Sequence, residues 1–286
     1  MSSYGRLGPA RSGHLGYAAR QPLGGCGLRT WIREIPGQTL QSADRCSLMG
    51  GHAPRRARDL GIAPGVLRPG EQNAISDVSG VLIGQVTLEQ EPDIHTGVTA
   101  IVPAQIGAAR RTLPCACFVG NGHGKLVGST QVAELGTLET PIVLTATLSV
   151  FRAADAVLTH MMARPGYESV LTLNPVVGET NDGYLSNIRS RPVTEEHVLA
   201  ALDKAAGGEV AEGCVGAGTG TAALGYKAGV GTSSRVVDLD GRGVTVGVLV
   251  QANFSGTLEV LGVPMPAAEL LADAPEAEED DGEQGG

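Results

Sequence analysis

"AEGCVGAGTG", residues 211–220, decides how this chain is read. A cysteine directly follows a glycine, and Gly216, Gly218 and Gly220 come after it two apart. Glycine costs backbone entropy on folding. Such a run therefore needs either torsions closed to other residues or the absence of side chains. Three kinds of segment meet that need: a phosphate-cradling loop, a tightly packed strand end, and a nucleophile presented on bare backbone.

The phosphate loop fails on spacing. A dinucleotide fingerprint has a strand, then G-x-G-x-x-G, then an uninterrupted helix, and a P-loop ends in Gly-Lys-Ser/Thr. Here "TAALGYKAGVGTSSR" (221–235) follows, with three more glycines. The alternation fits a strand better. Cys214, Gly216, Gly218 and Gly220 would then share one almost bare face, against which a helix or a ligand packs closely. A small, inert, buried cysteine also fits that strand.

The preceding residues point to a nucleophile. The polar loop "GGEVAEG" (207–213) leads from a helix into Cys214. Gly213 presents a sterically open carbonyl. Attack on it by the Cys214 sulfur gives a thioester, and water hydrolyses the thioester. The chain then breaks between Gly213 and Cys214. The new cysteine α-amine, with an unperturbed pKa of about 7.7–8.0, can serve as the nucleophile's own base. No histidine is required, and none lies nearby.

Composition sets the frame. A chain of 286 residues, 42% hydrophobic and 3% aromatic, fills its core with Val, Leu, Ile and Ala. Its apolar runs fall far short of the roughly 18 residues of a membrane helix. A net charge of −9 argues against a nucleic-acid partner, which would need a basic surface. Five cysteines at irregular spacing suggest no disulfide framework, so a cytoplasmic location is expected.

The ends differ from the middle. Residues 1–60 hold nine arginines, no lysine and three acidic residues. "GHAPRRARDLG" (51–61) reads as a linker, and residues 1–65 as a disordered extension, with Met49 an alternative start. Residues 273–286 read as an acidic disordered tail. A single domain is expected over 66–272.

Within it, strand and helix signals alternate. A hairpin turning at Ser79-Gly80 is expected over 73–88. Further strands are expected at 97–104, 115–120, 140–148, 169–174 and 244–254. Helices are expected over 128–138, over 150–164 (Val150, Ala154, Val157, Leu158, Met161 and Met162 near one face), and over 193–208. Thr194 caps the last of these and Gly207 stops it. Cys115 and Cys117 fit strand alternation better than a metal site, and Lys227 is expected to pair with a carboxylate. No metal or organic cofactor is implied.

The blocks "NAISDVSGVLIGQVTL", "HTGVTAIVP", "GNGHGKLVGSTQVAELGTLETPIVLTATLSV", "NPVVGETNDGYLSNIR", "EGCVGAGTG", "YKAGVGTSSRVV" and "VGVLVQANF" run in order through residues 73–254. In this the chain resembles the self-processing L-aminopeptidase/D-esterase group, which includes the β-peptidyl aminopeptidases. The resemblance implies an α/β fold, a four-layered α/β/β/α sandwich similar to N-terminal nucleophile hydrolases but differently connected. It implies self-cleavage into fragments 1–213 and 214–286, and assembly of the fragment pairs into homo-oligomers. It also implies release of N-terminal amino acids from small peptides, amides or esters.

Site residues follow from the same resemblance. Cys214 stands where the best-known members carry a serine nucleophile, and Gly213 marks the cleavage site. An oxyanion donor is implied in "GETNDGYLSN", at Asn181 or Asn187. Glu134 matches an acidic position that would face the substrate amine. Gly122, His123 and Gly124 would line the substrate pocket, and Ser233 or Ser234 would orient the nucleophile. An acyltransferase of the related self-cleaving fold and an unprocessed, non-catalytic scaffold are the competing readings.

Overall fold

The computed structural model describes residues 56–106 and 111–272. The acidic tail and residues 1–55 of the expected extension lie outside the described residues. Residues 56–65 are ordered. Ala57–Leu60 form a 3-10 turn, and Arg56 is bonded to the rest of the domain. The linker reading of "GHAPRRARDLG" therefore fails from Arg56 onward, because a guanidinium with four acceptors in the domain fixes the segment.

The main sheet has five strands. They are β1 (Val81–Gln90), β2 (Ile94–Pro103), β3 (Leu126–Val127), β4 (Ile142–Ala146) and β5 (Val176–Thr180), in the spatial order β1-β2-β4-β5-β3. β1 and β2 pair antiparallel along their whole length, from Val81↔Pro103 to Gln90↔Ile94. β2 is flanked on both sides, so nearly all of its residues are buried. β4 and β5 run parallel, with Ile142 opposite Val176. Parallel neighbours need a crossover, and helix α2 (Val150–Met162) supplies it.

Two helices cover one face of this sheet, α2 and α3 (Glu195–Asp203). Val98, Ala100, Val143 and Val177 of the sheet meet Val150, Ala153, Val157 and Met161 of α2 and Val198, Ala201 and Leu202 of α3. Each Val, Leu or Met side chain buried there contributes roughly 1.5–3 kcal/mol. A short helix, α1 (Ser129–Leu135), precedes β4. Met162 is exposed rather than core, because it falls on the outer face of α2 with Phe151, Asp155 and Thr159.

The opposite face carries a hairpin, β6 (Val230–Leu239) and β7 (Arg242–Gln251), in register from Val230↔Gln251 to Leu239↔Arg242. Its turn is Asp240-Gly241, both at positive φ, the two-residue connection that matches strand twist. Leu249 packs with Ile75, Ile83, Ile101 and Val210. On the outward face of β7, Val244, Val246, Val248 and Val250 are 39–51% exposed. Among the described residues no helix longer than four residues follows the hairpin.

Several local expectations give way. Ile75–Asp77 form a 3-10 turn instead of the first arm of a hairpin. The Asp77 carboxylate draws in the N–H groups of Gln72 and Ala74 and curls the segment. β1 instead pairs with the strand after it. Residues 115–120 and 169–174 are irregular. Pro175 interrupts the second stretch, and the strand starts at Val176. Helix α3 ends at Asp203, before Gly207, since Ala206 is drawn into a backbone pair with Ile83.

Candidate active site

The opening stretch is not a strand. Gly216–Gly218 form a 3-10 turn set down on the hairpin side of the main sheet. Thr87, Gly97 and Thr99 share that face, because residues paired across strands point the same way and the period is two. The Gly216 N–H donates to Thr87 Oγ1 at 2.8 Å, and the Ala217 N–H to Thr99 Oγ1 at 3.1 Å. Each glycine lies against a neighbour's backbone. A side chain on 216 would meet Thr99 and Val98, one on 218 would meet Gly229 and Val230, and one on 220 would meet His95. Close approach, not alternation on a strand, explains the glycines.

Gly213 lies at φ +86°, in the region that only glycine enters freely. It pairs with Val230, donating its N–H to Val230 O at 2.7 Å and accepting the Val230 N–H at 2.9 Å. Its carbonyl also accepts the Val215 N–H at 2.9 Å. Two backbone donors therefore converge on the carbonyl oxygen of the 213–214 peptide. Negative charge developing on that oxygen would be stabilised there, as in an oxyanion hole. Gly229 leaves room for this arrangement, since a side chain at 229 would overlap the Gly213 carbonyl.

Glu212, one residue upstream, is fixed twice. Its Oε1 accepts the Thr232 N–H at 2.7 Å, and its Oε2 pairs with Arg56 Nε at 2.6 Å. Neither Glu212 nor Arg56 was singled out from the sequence. Adjacency to the Gly-Cys bond was the only signal for Glu212, and the arginines of "RRARDLG" the only one for Arg56. Cys214 is half-buried and disulfide-bonded, whereas Cys115 and Cys117 are free thiols. Burial, with the neighbouring Cys117, pushes the Cys115 thiol up.

The structure separates the two asparagines. Asn181 follows Thr180, whose hydroxyl and the Ala217 carbonyl share the Gln251 side-chain amide. The Asn181 backbone exchanges bonds with the Asn253 side chain, and its Oδ1 accepts the Gly183 N–H at 2.9 Å. Asn187 instead donates its backbone N–H to Asp93 O at 2.7 Å, at the β1–β2 turn. Asn181 thus directly follows the residue that Gln251 links to the Gly216–Gly218 turn. Between them Asp182 is buried, its Oδ1 without a hydrogen-bond partner, and burial pushes its carboxyl up.

The remaining candidates spread out. Glu134 is exposed on α1. His123 is exposed, its N–H turned onto Asn121 Oδ1 at 2.8 Å. Gly122 is open, and Gly124 approaches Glu179. Lys125 ties this loop to Thr147 Oγ1 at 2.7 Å and to Glu179 at 3.2 Å. Ser233 donates to Asn73 Oδ1 and Ser234 to Asp77 Oδ2, so both hydroxyls anchor the 70–77 segment. Burial alone would raise the Asp77 carboxyl, but the bonds from Ser234, Gln72 and Ala74 outweigh it and hold it low.

Among the described residues Lys227 makes no ion pair with a carboxylate. Its Nζ donates to the carbonyls of Gly218 and Ala228. The residue as a whole is exposed, yet desolvation of its ammonium, against the pull of Glu89, brings its pKa down to about 8. A cavity of about 640 Å³ opens beside Arg68, Glu71, Ser76 and Asp77, and none of the residues named from the sequence lines it. Among the described residues no group of three or more His, Cys, Asp or Glu is placed to hold a metal, and no helix is long and apolar enough to cross a membrane.

Residues 73–282 match the pattern of peptidase family S58. Over 223 residues the chain is 42% identical to the beta-peptidyl aminopeptidase BapA of Sphingosinicella microcystinivorans, covering 73% of this chain and 54% of that protein. Among solved structures it resembles a Burkholderia sp. beta-aminopeptidase, with 42% identity and a TM-score of 0.71, covering 77% of this chain and 63% of that one. It also resembles the L-aminopeptidase D-Ala-esterase/amidase of Ochrobactrum anthropi, described as a prototype for the serine aminopeptidases and a new variant among the Ntn hydrolase fold. That match has 37% identity and a TM-score of 0.69, covering 77% and 63%. The expected α/β fold, a variant of the N-terminal nucleophile hydrolases, is therefore the one observed. The chain spans little more than half the length of the first curated relative.

Proposed function

Because the chain belongs to peptidase family S58, we propose that it is a self-processing aminopeptidase that releases N-terminal amino acids from small peptides, amides or esters. The Gly213 carbonyl carries the reading: its oxygen receives two N–H groups, at a glycine whose positive φ other residues rarely adopt. In self-cleavage the Cys214 sulfur adds to Gly213 C. The C–N bond breaks as the thiol proton passes to the departing nitrogen, which becomes the α-amine. Water then hydrolyses the thioester to the Gly213 carboxylate and restores the thiol.

In peptide turnover that amine, in its neutral form, takes the thiol proton as the sulfur attacks the substrate carbonyl. The proton passes to the leaving amine, and water releases the acyl group. Asn181 donates to the substrate oxyanion, Glu134 meets the substrate ammonium, and residues 122–124 form the pocket wall. The reaction requires the Cys214 disulfide, which the cysteine spacing did not suggest, to be reduced, so the proposed site of action is the cytoplasm, where thiols are kept reduced. The fragments remain paired through the Gly213–Val230 bridge and the shared core. The half-exposed valines of β7 support assembly of such pairs into a homo-oligomer.

The test is intact mass under denaturing conditions after incubation with reductant, followed by a peptidase assay. Two fragments meeting at Gly213 and Cys214, and hydrolysis of free-amine peptides, are expected. A chain that stays whole and inactive overturns the proposal in favour of the scaffold reading. Faster transfer to added amines than to water points to the acyltransferase.

A further inference from the structure

We infer that Arg56 is a positioning residue for self-cleavage, acting through Glu212 to hold the Gly213 carbonyl under its two N–H donors. The inference rests on cleavage before Cys214, the reading given above.

Four acceptors converge on the guanidinium. Nη1 donates to Gln72 O at 2.9 Å, and Nη2 donates to Asn73 O at 2.8 Å and to Thr232 O at 2.9 Å. Nε completes the set on Glu212 Oε2 at 2.6 Å. A planar fork with fixed donors can satisfy all four at once, which an ammonium on a flexible stem cannot. Three of the acceptors are backbone carbonyls of the domain, so the guanidinium itself is held. The fourth is the carboxylate next to the scissile bond.

Glu212 passes that restraint to the peptide. Its other oxygen accepts the Thr232 N–H, while the next residue, Gly213, is bonded in both directions to Val230. Two successive residues are thereby fixed two positions apart on β6, one through its side chain and one through its backbone. Downstream, the Gly216 and Ala217 N–H groups are fixed on Thr87 and Thr99. The 213–214 peptide is gripped on both sides, with its carbonyl oxygen at 2.9 Å from the Val215 and Val230 nitrogens. The Arg56 and Glu212 side chains are 32% and 24% exposed, so the pair adds little to the apolar core. Its position beside the reacting peptide is what it contributes. A small misplacement of a reacting group costs about 10²-fold in rate.

The test follows fragment formation by intact mass in full-length chains made by cell-free synthesis under reducing conditions. Wild type, Arg56→Ala, Arg56→Lys, Glu212→Gln and the double variant Arg56→Ala/Glu212→Gln are compared, with Cys214→Ala as the uncleaved reference. Arg56→Ala is expected to cleave at least about tenfold more slowly, with Arg56→Lys between it and wild type. Added guanidinium should restore cleavage of Arg56→Ala, whereas urea at the same concentration should not. Glu212→Gln should slow cleavage as well, and the double variant should be no slower than the slower single change, because both act through one contact. Wild-type cleavage by Arg56→Ala, or slowing that guanidinium fails to relieve, overturns the inference while leaving self-cleavage standing. A wild-type chain that does not cleave overturns both.

Discussion

Gly229 packs its α-carbon against the carbonyl of Gly213, so that a methyl group at 229 would overlap the oxygen and carbon of the 213–214 peptide. Gly229→Ala must therefore push that carbonyl off the Val230 N–H. Overpacking of this kind costs about 1–3 kcal/mol, and each 1.36 kcal/mol is about a factor of ten in rate. Self-cleavage is expected to slow by tenfold or more, read as fragment appearance by mass. Gly231→Ala, whose new methyl would have only ordinary contact with Glu212, is expected to cleave at close to the wild-type rate. Equal rates for the two variants would remove the role given to the 213–229 contact.

The sulfur comes next. Cys214→Ala should abolish both self-cleavage and peptide hydrolysis, and Cys214→Ser should retain part of each. Because Cys214 is disulfide-bonded, activity should appear only with reductant and be lost on alkylation. Cys115→Ala should keep full activity and change only the unfolding midpoint. Activity that survives alkylation of the processed enzyme would exclude Cys214 as the nucleophile.

Two amines govern the pH and substrate profile. The Cys214 α-amine must be neutral to accept a proton, so kcat/KM should rise with pH through the amine's pKa, about 7.7–8.0 if unperturbed. N-acetylated peptides should be poor substrates. Glu134→Gln should raise KM mainly, since a contact kept from ground state to transition state is uniform binding, and should leave self-cleavage intact. Equal turnover of acetylated and free peptides would make the enzyme a general amidase.

Lys227 gives a stability signature. Its folded pKa of about 8 lies below its ordinary value of 10.5, so between those values the unfolded chain binds more protons. Stability must rise with pH across that window. The burial penalty on the charged amine is fully present below about pH 8 and relieved above it. The unfolding midpoint of the wild type, measured relative to Lys227→Met, is expected to climb from pH 8 to pH 10. A flat difference would mean that the ammonium is fully solvated.

Where the sequence carried a strong local period, it was enough. The apolar spacing of 150–162 marks α2, Thr194 with Glu195 and Glu196 marks the start of α3, and the alternating valines mark β7. These signals are made by neighbours along the chain, so they survive without knowledge of the fold. Expectations failed where a distant group outweighed the local pattern. Asp77 curled 75–77 into a turn, Ala206 left its helix to pair with Ile83, and Arg56 drew an apparent linker onto the domain.

The same division runs through the site. By itself the sequence determined the family resemblance and singled out the Gly213-Cys214 bond as the proposed place of chemistry, because the ordered motif blocks and the Gly-Cys pair are read along the chain. Only the tertiary structure decided what surrounds that bond. It set the N–H groups of Val215 and Val230 on the Gly213 carbonyl, Gly229 against it, Arg56 on Glu212, and the Gln251 amide on the Ala217 carbonyl. Most of those contacts join residues far apart in the chain, many of them backbone groups that every residue type carries. Composition and spacing leave no trace of such contacts, and the packing of the hairpin against the main sheet creates them.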